Sequence, residues 1–180
     1  MNFDDVIRQR RSVRSYDNTK LVTKAQIMEM IKSAQMAPSW KNSQTGRYYA
    51  IFNPEKLLEV RQCLVTQNQI VTKDVNVVLV TTYVKNRSGF TRDGMPENEL
   101  GNGWGCYDLG MQNAILTLKA TEMGIDSVIL GLRDAEALRK VLNIPETEDI
   151  VAVIALGYRK ENEILAPKRK DTEDIVTLVE

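Results

Sequence analysis

"VNVVLVTTYV", residues 75–84, is the stretch whose reading decides the fold. It is β-branched and almost continuously apolar, the composition of a strand covered on both faces. A second run of the same kind, "VAVIAL" at residues 151–156, predicts another buried strand. Shorter strands are expected at 47–52 and 127–130. Helical patterns are scattered among them. Asn2 can cap a helix over 3–10 with Val6 and Ile7 inward. Thr23 and Gln26 have capping-box spacing, with Ile27, Met30, Ile31 and Ala34 following at helical period until Pro38 forces a stop. Residues 54–64 begin with a proline suited to a first helical turn, and 134–142 form a further helix. The longest helix is expected over 104–123, with Met111, Ala114, Ile115 and Leu118 on one side and Gly124 as C-cap. Strands and helices do not alternate regularly, so the class is α+β.

The chain has 180 residues, most simply one domain, and can bury about 70% of the surface its unfolded form exposes. It carries 24 basic and 24 acidic side chains, which argues against general nucleic-acid binding but not against one local anion site. Cys63 and Cys106 have no metal-ligand or disulfide-framework spacing. Residues 1–9 lack the apolar core of a signal peptide, and no run approaches a membrane span. A reduced, cytoplasmic protein is expected. There is no histidine, so a Ser-His-Asp or Cys-His nucleophile, a His-ligated metal and a His base are all excluded.

Against that neutral background, "VIRQRRSVRSY" at residues 6–16 concentrates Arg8, Arg10, Arg11 and Arg14. A solvated surface run is the plain explanation. Yet guanidinium forks beside the Ser12 hydroxyl also suit a phosphate. A second basic cluster, Lys168, Arg169 and Lys170 in "PKRKD", makes one shared anion site more attractive. Between them, "APSWKNSQTGRYY" at residues 37–49 places Trp40 and several amides in a turn-rich segment, a fitting ligand-contact surface. "GNGWGC" at 101–106 lacks the spacing of a dinucleotide fingerprint. The glycine-bearing stretch 85–103 is expected to be a flexible loop. Asp108 is read as a cap or carboxylate partner, not as a catalytic acid.

In order along the chain, "RRSVRSY", "APSWKNSQ", "DLGMQNAILTLKATEMGIDSVILG", "IVAVIALGY" and "PKRK" resemble the nitroreductase family of FMN-dependent oxidoreductases. The resemblance implies a mainly antiparallel or mixed sheet flanked by helices, in an intertwined homodimer sharing two FMN sites. It implies no catalytic side chain, because the chemistry belongs to flavin N5, with NADH or NADPH as co-substrate and nitroaromatics or quinones as acceptors. Carried over to this chain, Arg10, Arg11 and Ser12 hold the phosphate and ribityl chain, and Arg14 tunes the pyrimidine edge. Pro38, Ser39, Trp40, Asn42 and Gln44 would come from the other subunit, the backbone of Leu130 and Gly131 would lie beside the ring, and Lys168 and Lys170 would complete the phosphate site. Gln67, Asn68 and Gln69 compete for an amide facing the flavin, with Asn68 placed first. Residues 159–180 would extend onto the partner. Gly46 stands where the family commonly has tryptophan, and the long helical insertion of larger members is missing. Alternative readings are a flavin-binding or sensory protein with little turnover, or a relative with dehalogenating or flavin-fragmenting chemistry.

Overall fold

In the computed structural model, which describes residues 1–160 and 165–180, the elements run α1 (Phe3–Gln9), α2 (Lys24–Ala34), β1 (Gly46–Ile51), α3 (Pro54–Gln62), α4 (Thr66–Thr72), β2 (Val77–Val84), α5 (Gly103–Glu122), β3 (Asp126–Leu130), α6 (Ala135–Leu142) and β4 (Glu148–Gly157). The sheet order is β1-β2-β4-β3, and every strand pair is antiparallel. Strand β2 lies inside the sheet, as its composition requires. Its period of two divides its side chains between two cores. Val77 and Leu79 join Ile27, Met30, Leu116 and Ala120 of α2 and α5. Val78 and Val80 join Leu57, Val60, Val71 and Leu138 of α3, α4 and α6 on the opposite face. A buried Val or Leu contributes about 1.5–3 kcal/mol on full burial, so one strand stabilises both layers.

Local signals act where they were read. Thr23 Oγ1 accepts from the Gln26 amide at 3.2 Å, and Gln26 Oε1 accepts from the Thr23 amide at 2.9 Å, closing the capping box of α2. Asn53 Oδ1 caps α3 ahead of Pro54. Gly124, at φ 72°, takes the left-handed turn that ends α5.

Four expectations need correction. Helix α4 was absent from the sequence reading, because "TQNQIVT" has too few apolar positions to show a period. Strand β4 begins three residues earlier than expected, because the Glu148 carboxylate finds the hydroxyls of Tyr49 (3.0 Å) and Thr82. In α1 only Val6 is buried, while Ile7 is 47% exposed. In α5 the buried face is Asp108, Leu109, Gln112, Asn113, Leu116, Thr117, Ala120 and Thr121, whereas Met111, Ile115 and Leu118 are half-buried and Ala114 is exposed.

The segment 85–103 is more than a connector. The backbone N–H of Glu97 donates to Gly89 O at 2.8 Å and that of Thr91 to Met95 O at 2.8 Å, while the amides of Asn86 and Asn102 bond each other. Gly89 is at φ 82°, and a Cβ there would stand 2.6 Å from the Trp104 ring. Gly46, in the family's tryptophan position, leaves room for Gln112, whose Oε1 would be 2.1 Å from an added Cβ. After β4, Arg159 pairs with Asp126 at 3.0 Å. The described tail residues beyond 164 are exposed, including Ile175, Leu178 and Val179. Residues 161–164 of the expected C-terminal extension lie outside the described residues.

Candidate functional site

Helix α1 stops at Arg10, where the backbone turns to ψ 122° and runs beside β3. Ser12 makes a parallel bridge to Ser127, and the Val13 amide donates to Ser127 O at 3.0 Å. That docking delivers Arg10 and Ser12 into a cleft of about 420 Å³ with Gly110, Ala114, Thr117 and Leu118 of α5 and Ser127, Val128 and Ile129 of β3. Its lining combines the Arg10 cation and the hydroxyls of Ser12, Thr117 and Ser127 with apolar side chains. Burial depresses the pKa of Arg10, and the positive charges of Arg169 and Arg11 push it the same way. Among the described residues no carboxylate forms an ion pair with Arg10 or Arg169. A half-buried cation held near other cations without a counter-charge is a costly arrangement that an anion relieves.

The arginines separate by role. Arg11 leaves that cleft: its Nη1 donates to the carbonyls of Arg8 (2.6 Å) and Arg10 (2.9 Å), and it lines a different cleft of about 730 Å³ with Arg8, Lys20, Arg159 and Asp126. The latter is roomier, but its Arg159 already has Asp126 as counter-ion. Arg14 is exposed, with Nη1 on Ser12 O at 3.1 Å. From the tail, the charge of Arg169 bears on Arg10, and Lys168, Arg169 and Lys170 are all exposed.

Pro38 to Gln44 lies elsewhere, against the first turns of α5. The Trp40 backbone N–H donates to Asp108 Oδ2 at 3.0 Å, and the same oxygen accepts from Ser88 Oγ. Asp108 is 1% exposed, so it is a buried partner for two segments, and the N-cap position of α5 falls on Asn102, which makes no side-chain capping bond. Glu97 accepts from Trp40 Nε1 at 3.1 Å and from Lys41 Nζ at 2.6 Å, and these bonds hold its pKa below the usual carboxylate range, Lys41 first. Trp40 and Trp104 meet at 4.5 Å between centroids. Gln44 is held by Ser39 Oγ through its backbone and by Asn42 Oδ1 through its side chain. Lys41, Asn42 and Gln44 all adopt positive φ, a concentration of backbone strain that the surrounding bonds must support.

A third group lies at the end of β3. Leu130 is buried, Gly131 is exposed, and Asn68 Nδ2 donates to Leu132 O at 2.9 Å. Gln69 is spent on Leu64 O at 2.7 Å and Gln67 is exposed, so Asn68 is the amide tied to this segment. Within one chain the cationic cleft and the Trp40 segment are therefore not brought together. Asp108, which holds Trp40, is buried on α5, whereas the cleft takes its α5 lining from Gly110, Ala114, Thr117 and Leu118, beginning two residues further along. Sequence reasoning missed Thr117 and Ser127 in the cleft. Two hydroxyls, one in the apolar strand "DSVIL" and one in a helix core, were the available signal.

An antiparallel α+β domain with a cationic, part-apolar cleft against its edge strand defines a class of ligand-binding fold. Residues 7–158 match the nitroreductase family, and the chain belongs to it. An Archaeoglobus fulgidus protein carrying the provisional name NADH dehydrogenase/NAD(P)H nitroreductase is 25% identical over 160 residues, covering 87% of this chain and 84% of that protein. Among solved structures, a BluB-like flavoprotein from Clostridium difficile 630 superposes with a TM-score of 0.83 at 23% identity, covering 100% of both chains. A protein described as an oxidoreductase containing FMN gives 0.82 at 21% identity, covering 98% of this chain and 91% of that one. Among the described residues no helix is long and apolar enough to cross a membrane.

Proposed function

We propose that the chain is an FMN-dependent oxidoreductase that takes hydride from NADH or NADPH and passes electrons to nitroaromatics, quinones or related small acceptors in alternating half-reactions. The observation that carries this reading is Arg10, which lines a largely apolar cleft and has no carboxylate partner among the described residues. A flat ligand ending in a phosphate fits that distribution, and about 420 Å³ is within the range of cofactor pockets. Bound there, FMN supplies hydride chemistry at its N5 atom, which lets a chain without histidine act in redox catalysis.

The chain's own residues bind and orient. Arg10 and Ser12 hold the phosphate, with Arg169, Lys168 and Lys170 adding cations from the tail and Arg11 contributing charge from behind. Arg14 places a fixed cation at the pyrimidine edge, where negative charge develops on reduction. Asn68 and the backbone of Leu130 and Gly131 flank the ring. Pro38, Ser39, Trp40, Asn42 and Gln44 serve the site of a second copy, a reading supported by none of them lining the cleft within one chain. The exposed stripe of Ile7, Ala114 and Ile129 supports a homodimer, with the apolar tail end at 175–179 crossing onto the partner. The same reading keeps the chain in the reduced cytoplasm, where Cys63 and Cys106 stay free thiols.

The test is direct. Purified protein should show visible flavin absorption that NADH or NADPH bleaches without oxygen, and a nitroaromatic or quinone should restore it. Bound flavin that neither nucleotide reduces would make the chain a flavin-binding protein instead. Protein that stays colourless with added FMN would overturn the proposal. Light scattering should give a dimer, weakened by cutting after Lys170, and a flavin-loaded monomer would overturn the shared site.

A further inference from the structure

Along β3, successive side chains alternate between the two faces of the sheet. Val128 and Leu130 join the core with α3, α4 and α6. On the opposite face, Ile125 just before the strand is fully buried in the core with α2 and α5, while Ile129 is 50% exposed. Ser127 lies between these two isoleucines and is 3% exposed. A serine is out of place there unless its hydroxyl has a partner, because burying an unpaired hydroxyl is costly. The backbone of Ser127 is engaged: it pairs with Leu156 in the ladder, bridges Ser12 and takes the Val13 N–H at 3.0 Å. Its hydroxyl makes no hydrogen bond among the described residues, and neither does that of Ser12. Paired across a parallel bridge, the two serines carry their side chains on the same side, and both line the cleft that holds Arg10. The third hydroxyl of that cleft, on Thr117, is already committed to Ala114 O at 3.0 Å.

Resting on the flavin reading of this cleft, we propose that Ser127 is a further cofactor-binding residue, whose hydroxyl takes the sugar-alcohol chain of FMN next to the phosphate held by Arg10 and Ser12. A hydroxyl both donates and accepts, so it matches the hydroxyls of a polyol. The Arg10 guanidinium only donates, so it matches the phosphate. The apolar part of the lining, Ile7, Ala114, Leu118 and Ile129, offers a hydrogen bond to neither. Preference for a flavin with the chain over a bare ring therefore falls to Ser127, and preference for the phosphorylated form falls to Arg10.

Titrating the purified full chain, stripped of flavin, with FMN, riboflavin and lumiflavin separates these roles, because lumiflavin keeps the ring but has a methyl group in place of the chain. Ser127→Ala should weaken FMN and riboflavin alike, by roughly threefold to tenfold, and leave lumiflavin unchanged. Ser127→Thr, which keeps the hydroxyl, should restore most of the lost affinity. The thermal midpoint of flavin-free Ser127→Ala should hold or rise, because the substitution removes a buried hydroxyl that has no partner. A lower midpoint would make the hydroxyl structural and overturn the proposal. So would a loss that extends to lumiflavin, or one confined to FMN, which would put the hydroxyl on the phosphate. Wild-type protein that binds none of the three flavins sinks the oxidoreductase reading and this one with it, whereas FMN bound equally by wild type and Ser127→Ala sinks this one alone.

Discussion

The two ends of α5 are built on opposite principles. At its first turns, Asp108, Trp40, Ser88, Glu97 and Lys41 satisfy one another, and every charge on that list has a partner. Further along, the cleft lined by Thr117 and Leu118 also holds Arg10, which has no carboxylate partner among the described residues. The first arrangement is complete without a ligand, and the second is not. A protein stores binding capacity where its own interactions are left unbalanced, and stores shape where they are closed.

The largest effect that separates the two ends should come from Arg10→Ala. Loss of a charge-assisted contact to phosphate costs about 2–3 kcal/mol, or roughly 30- to 150-fold in FMN affinity measured by flavin titration. The thermal midpoint of the flavin-free protein should not fall, because the substitution also removes like-charge repulsion from Arg169 and Arg11. A lower midpoint would mean the cluster is structural.

Asp108→Ala should behave in the converse way. It leaves the Trp40 amide and the Ser88 hydroxyl without their acceptor, costing about 1–3 kcal/mol of stability with or without flavin. Denaturant unfolding of the flavin-free protein is the measurement.

A smaller effect sets packing against propensity at the same end. Gly105→Ala should gain up to about 1 kcal/mol of helix propensity. However, its Cβ would stand 2.3 Å from the buried ring of Tyr83, and overpacking of that kind costs about 1–3 kcal/mol. Net destabilisation is expected, and a raised midpoint would show that the Tyr83 ring moves freely.

The smallest effect is that of pH. Glu97 has its folded pKa lowered by Lys41 first, so its contribution is complete above the ordinary carboxylate range and lost only as pH falls through the lowered value. Tryptophan emission should be flat through neutral pH and change only in acid below that range. Glu97→Gln should remove the transition.

How much of this was legible in the sequence depended on the range of the interaction. The capping box of α2, the proline start of α3 and the left-handed Gly124 act within a few residues, and each was readable. The apolar runs at 75–84 and 151–156 showed that both faces would be covered. Helix α4 was missed because "TQNQIVT" has too few apolar positions to show a period. The face of α5 was misjudged for a related reason. A search for apolar period selects Met111, Ala114, Ile115 and Leu118, but the folded chain buries Asp108, Gln112 and Asn113, the first two against segment 38–46, and leaves the apolar stripe half-open. In the site, the arginine cluster was visible as charge. Its division into Arg10 in the cleft and Arg11 outside it was not, because that depends on where α1 ends against β3.

Composition and local period by themselves determined the α+β class, the doubly covered strand, the caps and the chemistry excluded by the lack of histidine. These follow from backbone geometry and side-chain polarity, which every residue carries with it. Tertiary structure alone decided which cation from the tail meets Arg10, that Asp108 is a buried acceptor, and that two distant tryptophans form one ledge. Those facts require bringing together residues dozens of positions apart, and only the packing of α5 against its neighbours supplies the energy to do so.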